Sequence, residues 1–254
     1  MISNREYQGQ QKRQGTTSPV SDFLAVEVPL EIQLNGKAFS TTMCTPSQMN
    51  ELVTGLLFTE GLIGAGADEI MVEIQFNTNK QKHIAIAKTK EPIPKNKIGS
   101  RELLSVTSCG ICGNTHFEKP IGKLERSLTK ETAVEVWFQK MEQKQSEFQK
   151  TGGTHAAALF NEQNDMIAMG QDIGRHNAVD KAVGQAHKNG TLETAIGITV
   201  SGRLSYEILA KAFKAKIPQV CSVSAPSSLA VDVAKEWGIT LSAFCRENRY
   251  TTYS

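Results

Sequence analysis

Two hydrophobic periods alternate along the carboxyl half of this chain, and no other feature constrains its fold as much. Residues 195–200 form an apolar run of strand length, residues 204–216 repeat at helical spacing, and residues 219–224 are strand-like again. Residues 227–237 return to the helical period, and residues 239–244 close with another strand. Short apolar strands separated by amphipathic helices predict crossover connections and a largely parallel sheet covered by helices. Just upstream, residues 156–160 and 166–169 predict a hairpin. Residues 177–188 predict a helix that places Ala178, Ala182, Val183 and Ala186 on one face. A further helix is expected over 129–150, carrying Val134, Trp137, Met141 and Phe148 and ending at Gly152-Gly153.

The amino-terminal half reads differently. Residues 23–34 alternate apolar and polar side chains and run into Asn35-Gly36, a strand followed by a tight turn. Thr45-Pro46 has the look of a helix N-cap followed by proline at the first helical position, with the helix ending at Gly61. Two more strands are expected near 69–76 and 83–87. Residues 21–108 therefore predict a small α+β subdomain, 109–128 a mobile connection, and 129–254 the larger α/β domain. The first 20 residues are polar, with no apolar stretch of the kind an export signal requires, and predict a disordered tail on a cytoplasmic protein.

Among 254 residues, 28 Lys and Arg nearly balance 26 Asp and Glu. That balance argues against a nucleic-acid partner held by a whole-surface field. No apolar run approaches the roughly 18 residues of a membrane span, so no membrane partner is expected. A chain this long buries enough surface to fold without a disulfide or a structural metal.

Of the five cysteines, Cys44 and Cys221 sit among β-prone or apolar residues and read as small core groups. Cys109 and Cys112 form a Cys-Gly-Ile-Cys pair, with further Gly at 113. Such a pair can be half of a zinc site, a dithiol redox centre or a sulfur carrier. The second CxxC of a zinc ribbon is missing, and the glycine-rich loop differs from the helix start that activates thioredoxin-like thiols. A thiolate on a loop also suits attack on a sulfur–sulfur bond.

Three further clusters follow predicted strands. Asp172, Gly174, Arg175, His176 and Asn177 lie between a strand and a helix, where Arg175 and the helix start favour an anion. Ser201, Gly202 and Arg203 occupy the next such junction. Phe244 to Arg249 (FCRENR) follows the last strand, where Arg246 and Arg249 suit phosphates or a purine face, or simply form an exposed basic tail. Three Arg-bearing junctions of one sheet converge on one edge, which points to a large polyanionic, nucleotide-like ligand. No P-loop and no GxGxxG after a strand is present, so ordinary ATP or NAD sites are not supported.

Together, SCGICG at 108–113, GGTHAAAL at 152–159, DIGRHNAVDK at 172–181, SGRLSYE at 201–207, SAPSSLAV at 224–231 and FCRENR at 244–249 resemble the formate dehydrogenase accessory sulfurtransferase family (FdhD-type). The likeness spans nearly everything after residue 20. It implies a cytoplasmic sulfur carrier that takes persulfide sulfur from a cysteine desulfurase. The sulfur would pass to the molybdenum cofactor, as Mo-bis-molybdopterin guanine dinucleotide, before insertion into formate dehydrogenase. By that resemblance Cys109 bears the persulfide, Cys112 is an auxiliary thiol, and Phe244, Cys245, Arg246, Glu247, Asn248 and Arg249 bind the cofactor. Asp172, Arg175, His176, Ser201 and Arg203 are added as candidate contacts. Guanine nucleotides are expected at the same site, and a homodimer is expected. The alternative is a cofactor-binding chaperone that docks on formate dehydrogenase with its cysteines incidental.

The family also looks related to the cytidine deaminases, whose H-x-E and P-C-x-x-C motifs hold zinc and a catalytic Glu. Here the corresponding pieces would be His155-Ala156-Ala157 and Pro226-Ser227-Ser228-Leu229-Ala230. The Glu has become Ala and the cysteines Ser and Ala. The expectation is a deaminase-like scaffold without zinc.

Overall fold

The computed structural model describes residues 3–66, 69–93, 122–125, 133–246 and 249–254. The polar amino terminus is not a disordered tail. Residues Asn4–Arg13 (β1) and Thr16–Ala25 (β2) pair antiparallel along their full length. Gln14 and Gly15 join them with φ of 49° and 85°, the left-handed pair a two-residue hairpin turn requires. Backbone pairing makes this arm, and composition does not register it. The arm is tied down where Asn4 Nδ2 donates to Glu147 at 3.0 Å and Lys150 Nζ sits 4.1 Å from the centre of the Phe23 ring.

The expected long strand over 23–34 divides, and its second part is Val28–Leu34 (β3). Asn35-Gly36 turns the chain into Lys37–Cys44 (β4), as the sequence predicts. After the helix Met49–Thr59 (α1) come Ile70–Asn77 (β5) and Lys82–Thr89 (β6). These four strands make a sheet of order β4-β3-β6-β5. Gln48, not Thr45, occupies the N-cap of α1, and it makes no side-chain cap bond. Thr45 is drawn away by a buried carboxylate described below.

The expected helix over 129–150 is broken at Gln145 into Val134–Lys144 (α2) and Ser146–Thr151 (α3), which ends on left-handed Gly152. Then follow His155–Phe160 (β7), Met166–Asp172 (β8), Arg175–Lys188 (α4), Gly197–Val200 (β9), Tyr206–Lys214 (α5), Gln219–Ser222 (β10), Ser228–Trp237 (α6), Thr240–Arg246 (β11) and Arg249–Thr252 (β12). The six strands run in the order β12-β11-β10-β9-β7-β8. This sheet is mixed rather than mostly parallel. Only β9, β10 and β11 run parallel, because helical crossovers join them. At the flanks β8 and β12 arrive by short hairpin connections, which can form only antiparallel ladders.

One face of this sheet is covered by α2, where Trp137 stacks on Phe160 with ring centres 5.0 Å apart. The other face is covered by α4 and α6, with α5 beside them and α1 packed on α4. The apolar core there runs without interruption from Leu30 and Ile32 of β3 through Leu52 and Val53 of α1 to Val183, Ile198 and Leu241. The amino-terminal sheet is thus not a separately cored subdomain: α1 is shared. Its crossing with α4 is close enough to require glycine. A Cβ on Gly55 would lie 1.8 Å from the Asp180 carbonyl oxygen, and one on Gly184 would lie 1.9 Å from that of Glu51. Buried Lys211 reinforces the crossing, donating to both Asp180 oxygens at 2.8 and 2.9 Å, and Thr59 donates to Asp180 as well. No helix among the described residues is long and apolar enough to cross a membrane.

Candidate functional site

Strand polarity gathers the predicted junctions at one edge of the six-stranded sheet. The parallel strands β9, β10 and β11 end there, at Ser201, Val223 and Arg246. Since β7 runs antiparallel to β9, it begins at that edge with His155; β8, antiparallel to β7, finishes there, with Asp172 opposite His155. Helices α2 and α3 wall off the space beneath this edge and leave a cleft of about 780 Å³. Its helical wall alternates Val134, Phe138, Met141 and Phe148 with the polar Glu135, Gln139, Glu142, Gln145 and Gln149. Thr154, His155, Ser201, Val223, Cys245, Arg246, Arg249 and Tyr250 supply the strand side. A smaller cavity of about 580 Å³ lies against the β11–β12 hairpin and shares Arg246, Arg249 and Tyr250.

The hairpin is shaped to present side chains. A register shift between Ala243 and Arg246 interrupts its ladder, and Phe244 takes φ of 57°, strained for an aromatic residue. That bulge leaves the Phe244 ring 43% exposed, lining the smaller cavity. Arg246 anchors its Nε on the Val223 carbonyl at 3.0 Å, while its charge stays at the surface. Cys245 points inward instead, with its sulfur 3.7 Å from the Ser242 carbonyl oxygen. Burial pushes its thiol up to about 11, so at neutral pH it is a protonated, apolar part of the wall.

The junction after β8 is built the other way. Asp172 is fully buried and is not a lining residue of the cleft. Its Oδ1 accepts from Gly174 N at 2.8 Å and Asn177 Nδ2 at 2.9 Å. Its Oδ2 accepts from Thr45 N at 3.0 Å and Thr45 Oγ1 at 3.2 Å, and faces Lys181 Nζ at 2.6 Å. Lys181 also donates to Thr45 Oγ1 and to the Gln171 carbonyl. Every oxygen of Asp172 is therefore committed to holding the loop and the start of α1. His176 is buried as well, with Nε2 4.0 Å from Glu207 and 3.5 Å from Ser205 Oγ. Arg203 is exposed on its turn and does not line the cleft.

Arg175 and Ser201 converge on His155. A Cβ on Gly202 would lie 3.1 Å from Arg175 Cβ and 3.4 Å from His155 Nδ1, a tight fit that would press both side chains apart. Ser201 Oγ accepts from Ala156 N at 3.0 Å and lies 3.1 Å from His155 Nδ1. Burial, then the charge of Arg175, lowers the pKa of His155, with Asp172 opposing, and the ring is neutral at pH 7. Among the described residues, two polar atoms nearby are buried without partners, Arg175 Nε and Thr154 Oγ1. Sequence reading missed Thr154, Tyr250 and the Thr45–Lys181 tie. Thr154 and Lys181 lie inside stretches it had singled out, but residue type alone does not show which neighbour each would meet.

Cys109, Cys112, Glu247 and Asn248 lie outside the described residues. Among the described residues no three His, Cys, Asp or Glu side chains come together in a metal-binding set. The remaining thiols do not behave as nucleophiles. Burial raises Cys44 to about 12, and it raises buried Cys221 well above the ordinary thiol value.

Residues 25–254 match the FdhD/NarQ family. The chain belongs to that family. Its relatives include the Sulfur carrier protein FdhD of Saccharolobus solfataricus, 39% identical, with 92% of this chain and 90% of that protein aligned. The protein of the same name from Nocardia farcinica is 38% identical over 92% of this chain and 86% of its own length. A crystal structure assigned to a formate dehydrogenase accessory protein from Desulfotalea psychrophila superposes with a TM-score of 0.78. It covers 100% of this chain and 97% of its own at 24% identity, which supports the fold. Family membership thus agrees with the resemblance carried by the six sequence stretches.

Proposed function

We propose that this chain is a sulfur carrier for formate dehydrogenase maturation. Its relatives are named Sulfur carrier protein FdhD, and family membership over residues 25–254 is the observation that carries the reading. Cys109 would accept persulfide sulfur from a cysteine desulfurase and pass it to the molybdenum cofactor, Mo-bis-molybdopterin guanine dinucleotide, bound as substrate. Cys112 would serve as auxiliary thiol. The chemistry of the other cysteines supports this choice. Cys44, Cys221 and Cys245 are buried and protonated, and a protonated thiol does not attack a sulfur–sulfur bond. The cleft supports the substrate: it is roomy, offers Phe138 and Phe148 to flat rings, and exposes Arg246 and Arg249 for phosphates. Guanine nucleotides would enter the same cleft.

The carrier would act as a cytoplasmic homodimer. We read its scaffold as deaminase-like and independent of zinc. Ser227, at the position of a zinc cysteine in that reading, caps α6 by accepting from Ala230 N at 3.2 Å. Incubation with a desulfurase and cysteine, followed by peptide mass spectrometry, should map one added sulfur atom to Cys109. The Cys109→Ala protein should gain none. If that variant supports full formate dehydrogenase activity in cells, the chaperone reading replaces this one.

A further inference from the structure

The cleft has two chemically different ends. Arg246 and Arg249 stand on β11 and β12, whereas His155 stands on β7 and Thr154 immediately precedes it. In the sheet order, β10 and β9 separate β11 from β7. Three strand spacings put the two ends about 14 Å apart. The arginine end carries charge. At the other end, the cleft-lining groups Thr154, His155 and Ser201 are uncharged.

At this neutral end Ser201 and His155 share one hydrogen bond whose direction decides the ring tautomer. Ser201 Oγ already accepts the Ala156 amide, and His155 Nδ1 is within reach of its hydroxyl hydrogen. Donation from Ser201 to Nδ1 places the ring proton on Nε2. The Thr154 hydroxyl is the second donor. Thr154 is only 5% exposed, lines the cleft, and its Oγ1 has no partner. A buried hydroxyl without a bond is costly, and because Thr154 borders the cleft an acceptor arriving with the ligand could satisfy it.

We propose that His155 Nε2–H and Thr154 Oγ1–H form an uncharged donor pair that holds the anionic sulfur in transit, while the ligand's phosphates occupy the arginine end. This rests on the sulfur-carrier reading and adds a direction to it: transfer takes place at the β7–β9 end of the cleft. The neighbouring wall favours sulfur over phosphate. Met141 of α2, in contact with Thr199 of β9, is apolar, and a weakly hydrated sulfur anion loses less than a phosphate on entering such a corner. Burial, and after it the charge of Arg175 across Gly202, lowers the His155 pKa and so favours an uncharged ring.

Two isosteric replacements separate the donor from a structural role. His155→Gln places an amide nitrogen near the Nε2 position, and His155→Asn places one near Nδ1, beside Ser201. The donor pair predicts that His155→Asn and Thr154→Val slow sulfur transfer at least about tenfold, the loss expected for one charge-assisted hydrogen bond. His155→Gln should remain within about threefold of wild type on the same scale. Guanosine diphosphate, as a probe of the arginine end, should bind all three variants as it binds wild type. Equal loss in Gln and Asn, retention in Asn alone, or nucleotide binding lost in parallel overturns the proposal. Nitrogen-15 NMR of the ring gives a readout that needs no transfer: the Nε2–H tautomer at pH 7 supports the assignment and the Nδ1–H tautomer removes it. A wild-type protein that takes up no sulfur would defeat the carrier reading, while the tautomer still judges the donor pair.

Discussion

The loop after β8 and the hairpin after β11 are written in similar letters, DIGRHN and FCRENR, and the fold uses them in opposite ways. In the first, Asp172, His176 and Asn177 are buried, and Asp172 is bonded through both oxygens to protein groups. In the second, Phe244, Arg246, Arg249 and Tyr250 face outward around a strained bulge. Residue type does not separate architecture from ligand surface here. What separates them is burial: the polar groups of the first loop are enclosed and bonded within the protein, and those of the hairpin are turned toward solvent. Half-buried Arg175 and buried Thr154 fall between the two cases, each with one enclosed atom unmatched among the described residues.

The comparison is broken most severely by removing the cation from the first loop. Lys181→Met leaves the Asp172 carboxylate buried and uncompensated, which should cost about 3–5 kcal/mol. The melting temperature should fall by roughly 10 °C on that account. Adding Asp172→Leu should recover part of the loss, because no charge is then stranded. Thermal and urea denaturation of the three proteins measure this. A near-neutral Lys181→Met would mean that the loop is not held by the pair.

A smaller effect comes from His155, which borders both regions. Its pKa is held below the ordinary 6.5 by burial and by Arg175. The unfolded chain therefore takes up the proton first as pH falls. His155 should withdraw stability from pH 6.5 downward until its folded value is passed, with no further change below that. Urea melts between pH 7.5 and 5 should show a shallower acid slope in His155→Gln than in wild type.

Much of the fold was legible because it is written in period and punctuation. The strand and helix alternation after residue 195, the Asn35-Gly36 turn and the Gly152 stop all stand where the sequence puts them. The amino-terminal arm was not, since its strands carry few apolar side chains and are held by backbone bonds; Gln14-Gly15 was the available signal. Thr45 read as a helix cap because Pro follows it, yet its partner Asp172 lies 127 residues away. The same distance hid the role of Asp172, which looks like a ligand contact when only its own motif is visible. Within the site, convergence on one sheet edge followed from topology alone. The division of the cleft into a charged and a neutral end required knowing which side chains the strands turn toward it.

The account as a whole claims that sulfur loaded on the thiol at 109 is delivered to a ligand held by the hairpin arginines. The most direct test loads wild type and the double variant Arg246→Gln/Arg249→Gln with radiolabelled sulfur, then adds the molybdenum cofactor. Exposed arginines remote from the core should leave stability within about 0.5 kcal/mol. Loading should be equal in the two proteins, and label should move to the cofactor at least about tenfold more slowly in the variant, as expected for lost charged phosphate contacts. Equal transfer from both proteins, or loading abolished along with transfer, would contradict it.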